Sequence, residues 1–407
     1  APVPRVAVIS RDDVRLDDLD RQVDEEGFEL PRGRLGSAPW TPEPDAVQAL
    51  MAKILKQGKP LVDYAGAKPF RGILTGLNEA FLIDTENRNA LIAKDARSAE
   101  ILKPYLRGQD VFRWRAQPNG LWMILLKSSD DHEWPWSLSE PADAEGIFAT
   151  TFPALHQYLA QWREQLIARS DQGRFWWELR KCSYYEEFDR PKILWQEIQY
   201  APAYAMDSSG TFANNKVFFI PSEDRYLVSI FNSPLLWWHN WRYLVHLKDE
   251  ALTPSGYKME KLPIARPSDQ VRQEIENRAL RVLVLEDDRL QTRNLLIDWL
   301  KVEHEIITPP QRLNGLSLSV EDLIEEVRRG RGKKKPLSAA ALKNLREEHA
   351  RTIAPLAERL REIGRIEVEL SDLVCQAYKL TGEEIDLMWQ TAPPRMPIIN
   401  PLMNPAE

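Results

Sequence analysis

Apolar positions fall into two textures along the chain. From residue 61 to about 267 they come in short runs, among them RGILTG, EAFLID, LWMILLK, PKILWQEI, KVFFIPS and RYLVSIF, cut by Gly, Pro and Asn. Short apolar runs bounded by turn formers, with little helical periodicity, predict strands. Two stretches inside this region read as helices instead: PALHQYLAQWREQLIA and SPLLWWHNWRYLVHL. After RPSD the pattern turns helical almost to the end. SDQVRQEIENRALRVLVLEDDRLQTRNLLIDWLKVEH predicts one long helix or two. A further helix begins at PLSAAALKNLREEHA and runs on through LAERLREI, with apolar residues three or four apart and Ser338 suited to its start. Upstream, a strand-like VAVIS and an acidic stretch lead through the Pro-rich WTPEPDAV to a helix, AVQALMAKILKQG, ending at Gly58. The expected architecture is α+β. A connector over 1–60 precedes a domain with a mixed or antiparallel sheet over 61–267, and an α-helical domain over 268–407 follows.

A chain of 407 residues, 43% hydrophobic and 28% charged, has room for two or three ordinary globular cores. No apolar run approaches the roughly 18 residues of a membrane helix, and APVPRVAVISRDDVRLDDLD lacks the shape of a signal peptide. The chain opens on Ala1 rather than Met, so it is expected to be a piece of something larger. Cys182 and Cys375 make neither a disulfide framework nor a CxxC pair, and the expected compartment is the reducing cytoplasm. The net charge of −7 does not advertise nucleic-acid binding, but it is uneven. Residues 1–45 hold 6 Lys/Arg against 11 Asp/Glu, whereas 60–130 hold 10 against 8. A nucleic-acid face therefore requires basic residues gathered on one side of the fold. The run RRGRGKKK is either a grip on a phosphate backbone or a solvated hinge.

Familiar catalytic patterns are missing. The single Gly-x-Gly, at Gly330 and Gly332, lies in the basic run rather than after a strand, and there is no GxxxxGK[ST] or GxSxG. The six His never stand at HxxxH or HExxH spacing, which argues against a zinc site. No Lys has an acid two residues before it, as a PD-(D/E)xK nuclease needs, and TPPQ and APPR do not fit the (N/D/S)PP(Y/F) loop of DNA amino-methyltransferases. The chain is expected to perform no chemistry alone. In FRGILTGLNEAFLID, the residues Gly72, Thr75, Gly76 and Asn78 read as a tight turn between two core strands.

Several segments, in order, nonetheless resemble one family. RGILTGLNEAFLID is similar to a G-I-x-T-G-x-N-x-A-F signature, LKPYLRGQDVFRWR to an (L/I)xPxLRGxDIxRW element, and RFWWELRKCSYYEEFDRPKILWQEI to a WxLRxCxYYxxFxxPKIxxxxI element. DSSGTFANNKVFFI, RYLVSIFNSPLLWW, ALTPSGYKMEKLPIARP and ELSDLVCQAYKLTGEEIDLM complete the set. Together they resemble the C-terminal target-recognition region of TaqI-like (gamma-class) N6-adenine DNA methyltransferases. Type IIG restriction–modification enzymes and BREX phage-defence methyltransferases carry such a region. The resemblance covers 61–267 and 371–388 and implies a domain that lies on double-stranded DNA and reads its sequence, while a neighbouring domain flips and methylates an adenine. It also implies a methyltransferase catalytic domain or subunit as partner. The S-adenosylmethionine would belong there, with no cofactor held by this chain and no contact with a membrane.

Such a domain needs Lys and Arg on phosphates, and Arg, Asn or Gln at base edges. Arg71 is a candidate phosphate contact beside the Gly72 turn. Arg107, Arg113 and Arg115 alternate with Phe112 and Trp114; in a strand, 113 and 115 would share one face over an aromatic pair buried on the other. Arg174, Arg180, Lys181 and Lys192 flank aromatic runs, where seven bases balance seven acids over 161–200 and internal ion pairs compete with DNA. Trp176, Trp177, Tyr184 and Tyr185 are core types. Gln196 and Gln199 fall on opposite sides of a strand. Asn214 and Asn215 are turn residues or adenine readers, and Lys258, after the Gly256 turn, is a phosphate contact or a solvated lysine. The rival reading is a protein-interaction module whose business end is 268–407.

Overall fold

The computed structural model describes residues 3–9, 13–34, 42–306, 318–331 and 336–398. It is α+β, as the two textures predict: mixed sheets lie within 70–221, and the chain beyond 268 is helical. One sheet has five strands in the order Phe70–Arg71, Val217–Pro221, Lys192–Gln196, Tyr204–Asp207, Trp114–Arg115; the last pair is parallel and the others antiparallel. Its central strands are buried on both faces, which is why ILW and VFFI read as unbroken apolar runs. Successive side chains point to opposite sides of a strand, and the two sides feed different cores. Ile193, Trp195, Phe218 and Ile220 pack with helices Arg225–Phe231 and Pro234–Tyr243, whereas Leu194, Val217 and Phe219 face the second core.

That second core is closed by a four-stranded sheet, ordered Phe212–Ala213, Leu102–Leu106, Leu121–Ile124, Leu82–Asp84. Beside it stands an aromatic column. The Phe175 and Trp177 rings stack at 4.9 Å, and Trp177 and Phe148 at 5.0 Å. Trp176, Trp177 and Tyr185 are buried, while Tyr184 is half-buried.

Asp269–His304 is a single helix of 36 residues, about 54 Å long at 1.5 Å per residue, started by Ser268 accepting from the Val271 N–H. Its first half packs into the core shared with the five-stranded sheet; Leu296 and Leu300 join a separate core with Leu323, Val327, Leu345 and Leu356. The returning arm is Ala339–Glu348, capped by Ser338, then a π turn over His349–Ile353, then Ala354–Ala377. Pro355 has no N–H for the carbonyl one turn back, and the helix widens just before it. The helix Asp45–Gln57 ends at Gly58 as expected. There glycine is needed for space: an added Cβ would lie 2.5 Å from Pro263, on the strand that Gly58–Pro60 pairs with. The helix of SPLLWWHNWRYLVHL is shorter than the pattern suggests, since Val245–His246 leave it to pair with Leu252–Thr253.

His239 sits inside Pro234–Tyr243 with its Nε2 unpartnered, and burial pushes its pKa down to about 4. In the unfolded chain a His titrates near 6.5. Between those values the unfolded chain takes up a proton that the fold refuses, so stability is complete above pH 6.5 and is lost as the pH falls toward 4. Urea midpoints measured from pH 7 to 4.5 should show the loss. A His239→Leu chain should lose less, by about 1–3 kcal/mol at the acid end.

Candidate nucleic-acid interface

The strand Phe70–Arg71 ends where the two sheets meet. The Gly72 N–H donates to the Val217 carbonyl (2.8 Å) and the Ile73 N–H to the Ala213 carbonyl (2.7 Å), so the chain passes from one sheet to the other in two residues. A Cβ on Gly72 would fall 2.0 Å from the Asn214 carbonyl oxygen, a space that glycine alone leaves open. Gly76 takes φ +73°, and a Cβ there would meet the Asp171 carbonyl at 2.7 Å. The turn does not lead directly into a second strand, as the sequence suggested. Thr75 Oγ1 donates to Asn78 Oδ1 (2.7 Å), and Asn78–Phe81 forms one helical turn that drives both Ala80 and Phe81 into the core. Consecutive residues cannot both point inward from a straight strand.

Beneath this turn lies Arg169, a residue that sequence reasoning missed. Its buried guanidinium donates to the carbonyls of Thr75 (2.7 Å), Trp176 (3.1 Å) and Glu178, and stands over the Phe81 ring. Burial pulls its pKa down to about 10. Nothing in the sequence distinguishes it from the solvated arginines near it.

The crossing sets Arg71 against the turn at 214–216. Arg71 Nε donates to the Asn215 carbonyl (2.6 Å), and an Nη to Glu197 (2.6 Å). The other Glu197 oxygen takes Lys216 Nζ (2.8 Å). Opposite, the Tyr184 hydroxyl donates to the Arg71 carbonyl (3.0 Å), and its ring stacks on Phe70. A cleft of about 450 Å³ results, lined by Arg71, Arg180, Lys181, Cys182, Tyr184 and Asn215 with backbone of the Gly72 crossing. None of its described lining side chains is acidic. Burial pushes the Cys182 thiol up and the Tyr184 phenol up to about 12, so both are neutral near pH 7 and add no negative charge of their own to the cleft. Arg180 also pairs with Asp171 (3.1 Å), and Lys181 is exposed. A larger cleft, about 640 Å³ beside Tyr64, holds Asp224, Asp269 and Glu276 among its arginines and favours no anion.

Other candidates flank the cleft. Asn214 Oδ1 accepts from the Lys216 N–H (3.2 Å), the turn role foreseen for it. Gln196 is half-buried and donates to the Val111 carbonyl (2.9 Å); its Cγ and the Lys216 backbone lie at Gly108, next to Arg107, which reaches Asp110 at 3.3 Å. Arg174 is exposed, its guanidinium over the Phe175 ring. Lys258 is half-buried over the rings of Tyr243 and Tyr257. Arg328, Arg329 and Arg331 of the basic run finish the helix Val320–Arg331, and 332–335 lie outside the described residues.

Three candidates turn inward instead. Lys192 is fully buried, its ammonium between Asp207 (2.7 Å) and the Phe188 carbonyl (2.6 Å). Burial alone would raise the Asp207 carboxyl, but this ammonium holds it below its usual range. The alternation expected of 112–115 fails because Trp114 takes φ +70°, leaving Trp114 2% exposed and Phe112 44%. Arg113 then reaches Glu367 (2.6 Å) and the Asn232 carbonyl (2.6 Å), Trp114 Nε1 donates to the same Glu367 oxygen, and Arg115 reaches Asp287 (2.6 Å). These arginines fasten the sheet to the long helices. Among the described residues no group of three or more His, Cys, Asp and Glu is arranged to hold a metal, and no helix is long and apolar enough to cross a membrane.

Gly72→Ala should lower the unfolding free energy by at least about 2 kcal/mol, the added methyl being driven into backbone. Gly146→Ala, in a helix with nothing within 4 Å of the new methyl, should raise it by up to about 1 kcal/mol. Glu367→Gln should cost about 1–3 kcal/mol by stranding the Arg113 guanidinium. Paired urea titrations read all three.

Residues 103–264 match the family described as the TaqI-like C-terminal specificity domain, and 268–374 match a domain of unknown function (DUF8810). No curated protein matches the chain. Among solved structures, the chain is similar at 12% identity and a TM-score of 0.41 to the type IIL restriction-modification enzyme MmeI, solved in complex with DNA, over 80% of this chain and 35% of that one. It is similar at 12% identity and a TM-score of 0.35 to the type IIG restriction endonuclease BpuSI, over 65% and 33%. The alignments thus span about a third of those enzymes' lengths.

Proposed function

We propose that this chain, whose residues 103–264 match the TaqI-like C-terminal specificity domain, binds double-stranded DNA at the Arg71 cleft and selects its sequence. The observation that carries the reading is convergence. Arg71, the pair Arg180 and Lys181, and Asn215 come from three distant stretches and line one cleft with no acidic side chain among its described walls. The cations fit phosphates and fix register, while Asn215 and the nearby Gln196 are the types that read adenine. Arg107 and Arg174 serve as outer phosphate contacts. Arg113, Arg115 and Lys192 are left out of this face, because Arg113 and Lys192 are paired inside the fold and Arg115 is turned to Asp287 on the long helix.

In this reading the chain supplies affinity and sequence choice to an N6-adenine methyltransferase of restriction–modification type, type IIG-like or BREX-like. A separate catalytic domain or subunit brings S-adenosylmethionine and the methyl transfer. The division at 60 and 267 belongs to the same reading.

Selection from a randomised duplex pool at moderate salt, followed by sequencing, should enrich one short motif. Arg180→Ala and Lys181→Ala should each make the log–log salt dependence of binding shallower by about 0.9. Absence of binding at low salt would overturn the reading. It would favour a protein-interaction module, for which one observation speaks: Leu280, Val284, Leu295 and Val302 are all exposed and fall within about 60° of each other around the long helix.

A further inference from the structure

A carboxylate paired with a cation that lines a cleft meant for phosphates needs a reason. Glu197 directly follows the strand Lys192–Gln196, and its N–H donates to the Lys216 carbonyl (2.7 Å), which fixes it opposite Lys216. The neighbouring pairing of Phe218 with Arg71 brings the guanidinium alongside. Each Glu197 oxygen is therefore taken by a different cation, Arg71 at 2.6 Å and Lys216 at 2.8 Å. The cations are the exposed partners, at 45% and 60%, with Glu197 set behind them at 19%. Ion pairs this open to water add little to stability, so holding the fold together does not account for the acid. Its effect falls on DNA: each phosphate that draws Arg71 or Lys216 away costs Glu197 one of its two partners and stands near its negative charge.

We infer that Glu197 is a specificity-determining positioning residue, an internal counter-ion that withholds Arg71 and Lys216 from indiscriminate phosphate binding. The inference rests on the DNA-reading assignment above. A duplex that brings only phosphates leaves the freed carboxylate unsatisfied. One that also presents an amino donor, such as the N4 amine of cytosine at a major-groove edge, satisfies it. Glu197 thus makes tight binding conditional on sequence.

The test uses the full chain and a duplex of about 30 base pairs of mixed sequence, titrated from about 50 to 200 mM salt. Glu197→Gln should bind this duplex more tightly and steepen the log–log salt slope by about 0.9 to 1.8, for one or two further phosphates. Glu197→Gln combined with Lys216→Gln should retain only the Arg71 share, about 0.9. In the randomised selection, Glu197→Gln should enrich its motif less sharply than the parent. Glu197→Ala gives a second reading of the same slopes should the Gln variant not fold. Equal slopes in folded parent and variant overturn the role of Glu197 and leave the DNA assignment standing. Failure of parent and variants alike to bind at about 50 mM salt overturns both. Binding by the variants alone overturns the DNA-reading assignment of the parent, and with it the role of Glu197 in that reading.

Discussion

The contact between Gly72 and the Asn214 carbonyl is the constraint on which this surface depends. Two sheets of different make-up meet there, and the chain changes sheet on both sides of the contact: at 71–73 going one way and at 213–217 going the other. Because the two backbones touch with no side chain between them, Arg71 and Asn215 are neighbours by necessity. Tyr184 then closes the far wall by bonding the Arg71 carbonyl. Arg169 clamps the turn that follows from beneath. A cleft assembled from three distant stretches is thus held by backbone geometry at its centre, not by the long flexible side chains that rim it.

A second seam ties this surface to the helices. Trp114, in a left-handed conformation unusual for a bulky residue, throws its indole inward and leaves Phe112 outside. Glu367 receives both the indole N–H and the Arg113 guanidinium, and Asp287 on the long helix receives Arg115. The Arg113–Glu367 pair, mostly buried on both sides, is costly to separate. The sheet and the helical pair therefore share one core through Trp114, Val282 and Ile363, and the DUF8810-matching segment packs against the segment that matches the TaqI-like C-terminal specificity domain.

Elements with a strong period were legible in the sequence. The long helix, the start at Ser338, the helix ending at Gly58 and the buried strands ILW and VFFI all follow from spacing and cap chemistry that neighbours do not override. The fate of individual charges was not. Arg71 and Arg113 look alike in sequence, both beside aromatic residues, yet one borders a cleft and the other ends on Glu367, 254 residues away. Lys192 begins an apolar strand, and its burial depends on Asp207 standing opposite in the sheet. The turn of 112–115 rests on one residue adopting a conformation that no local rule assigns to Trp. In each case the deciding partner is remote in sequence.

Pairing also limits what the candidate face can do by charge alone. Arg71 and Lys216 share Glu197, Arg107 leans on Asp110, and Arg180 on Asp171. Lys181 and Arg174 make no ion pair among the described residues. Under the proposed reading, a face so balanced would attract the backbone of any duplex weakly, in keeping with a chain of net charge −7. Weak general attraction is an advantage to a reader of sequence, since discrimination is the ratio of specific to non-specific affinity and a low denominator raises it. Under the proposed reading, the electrostatics therefore assign this face choice of sequence more than grip.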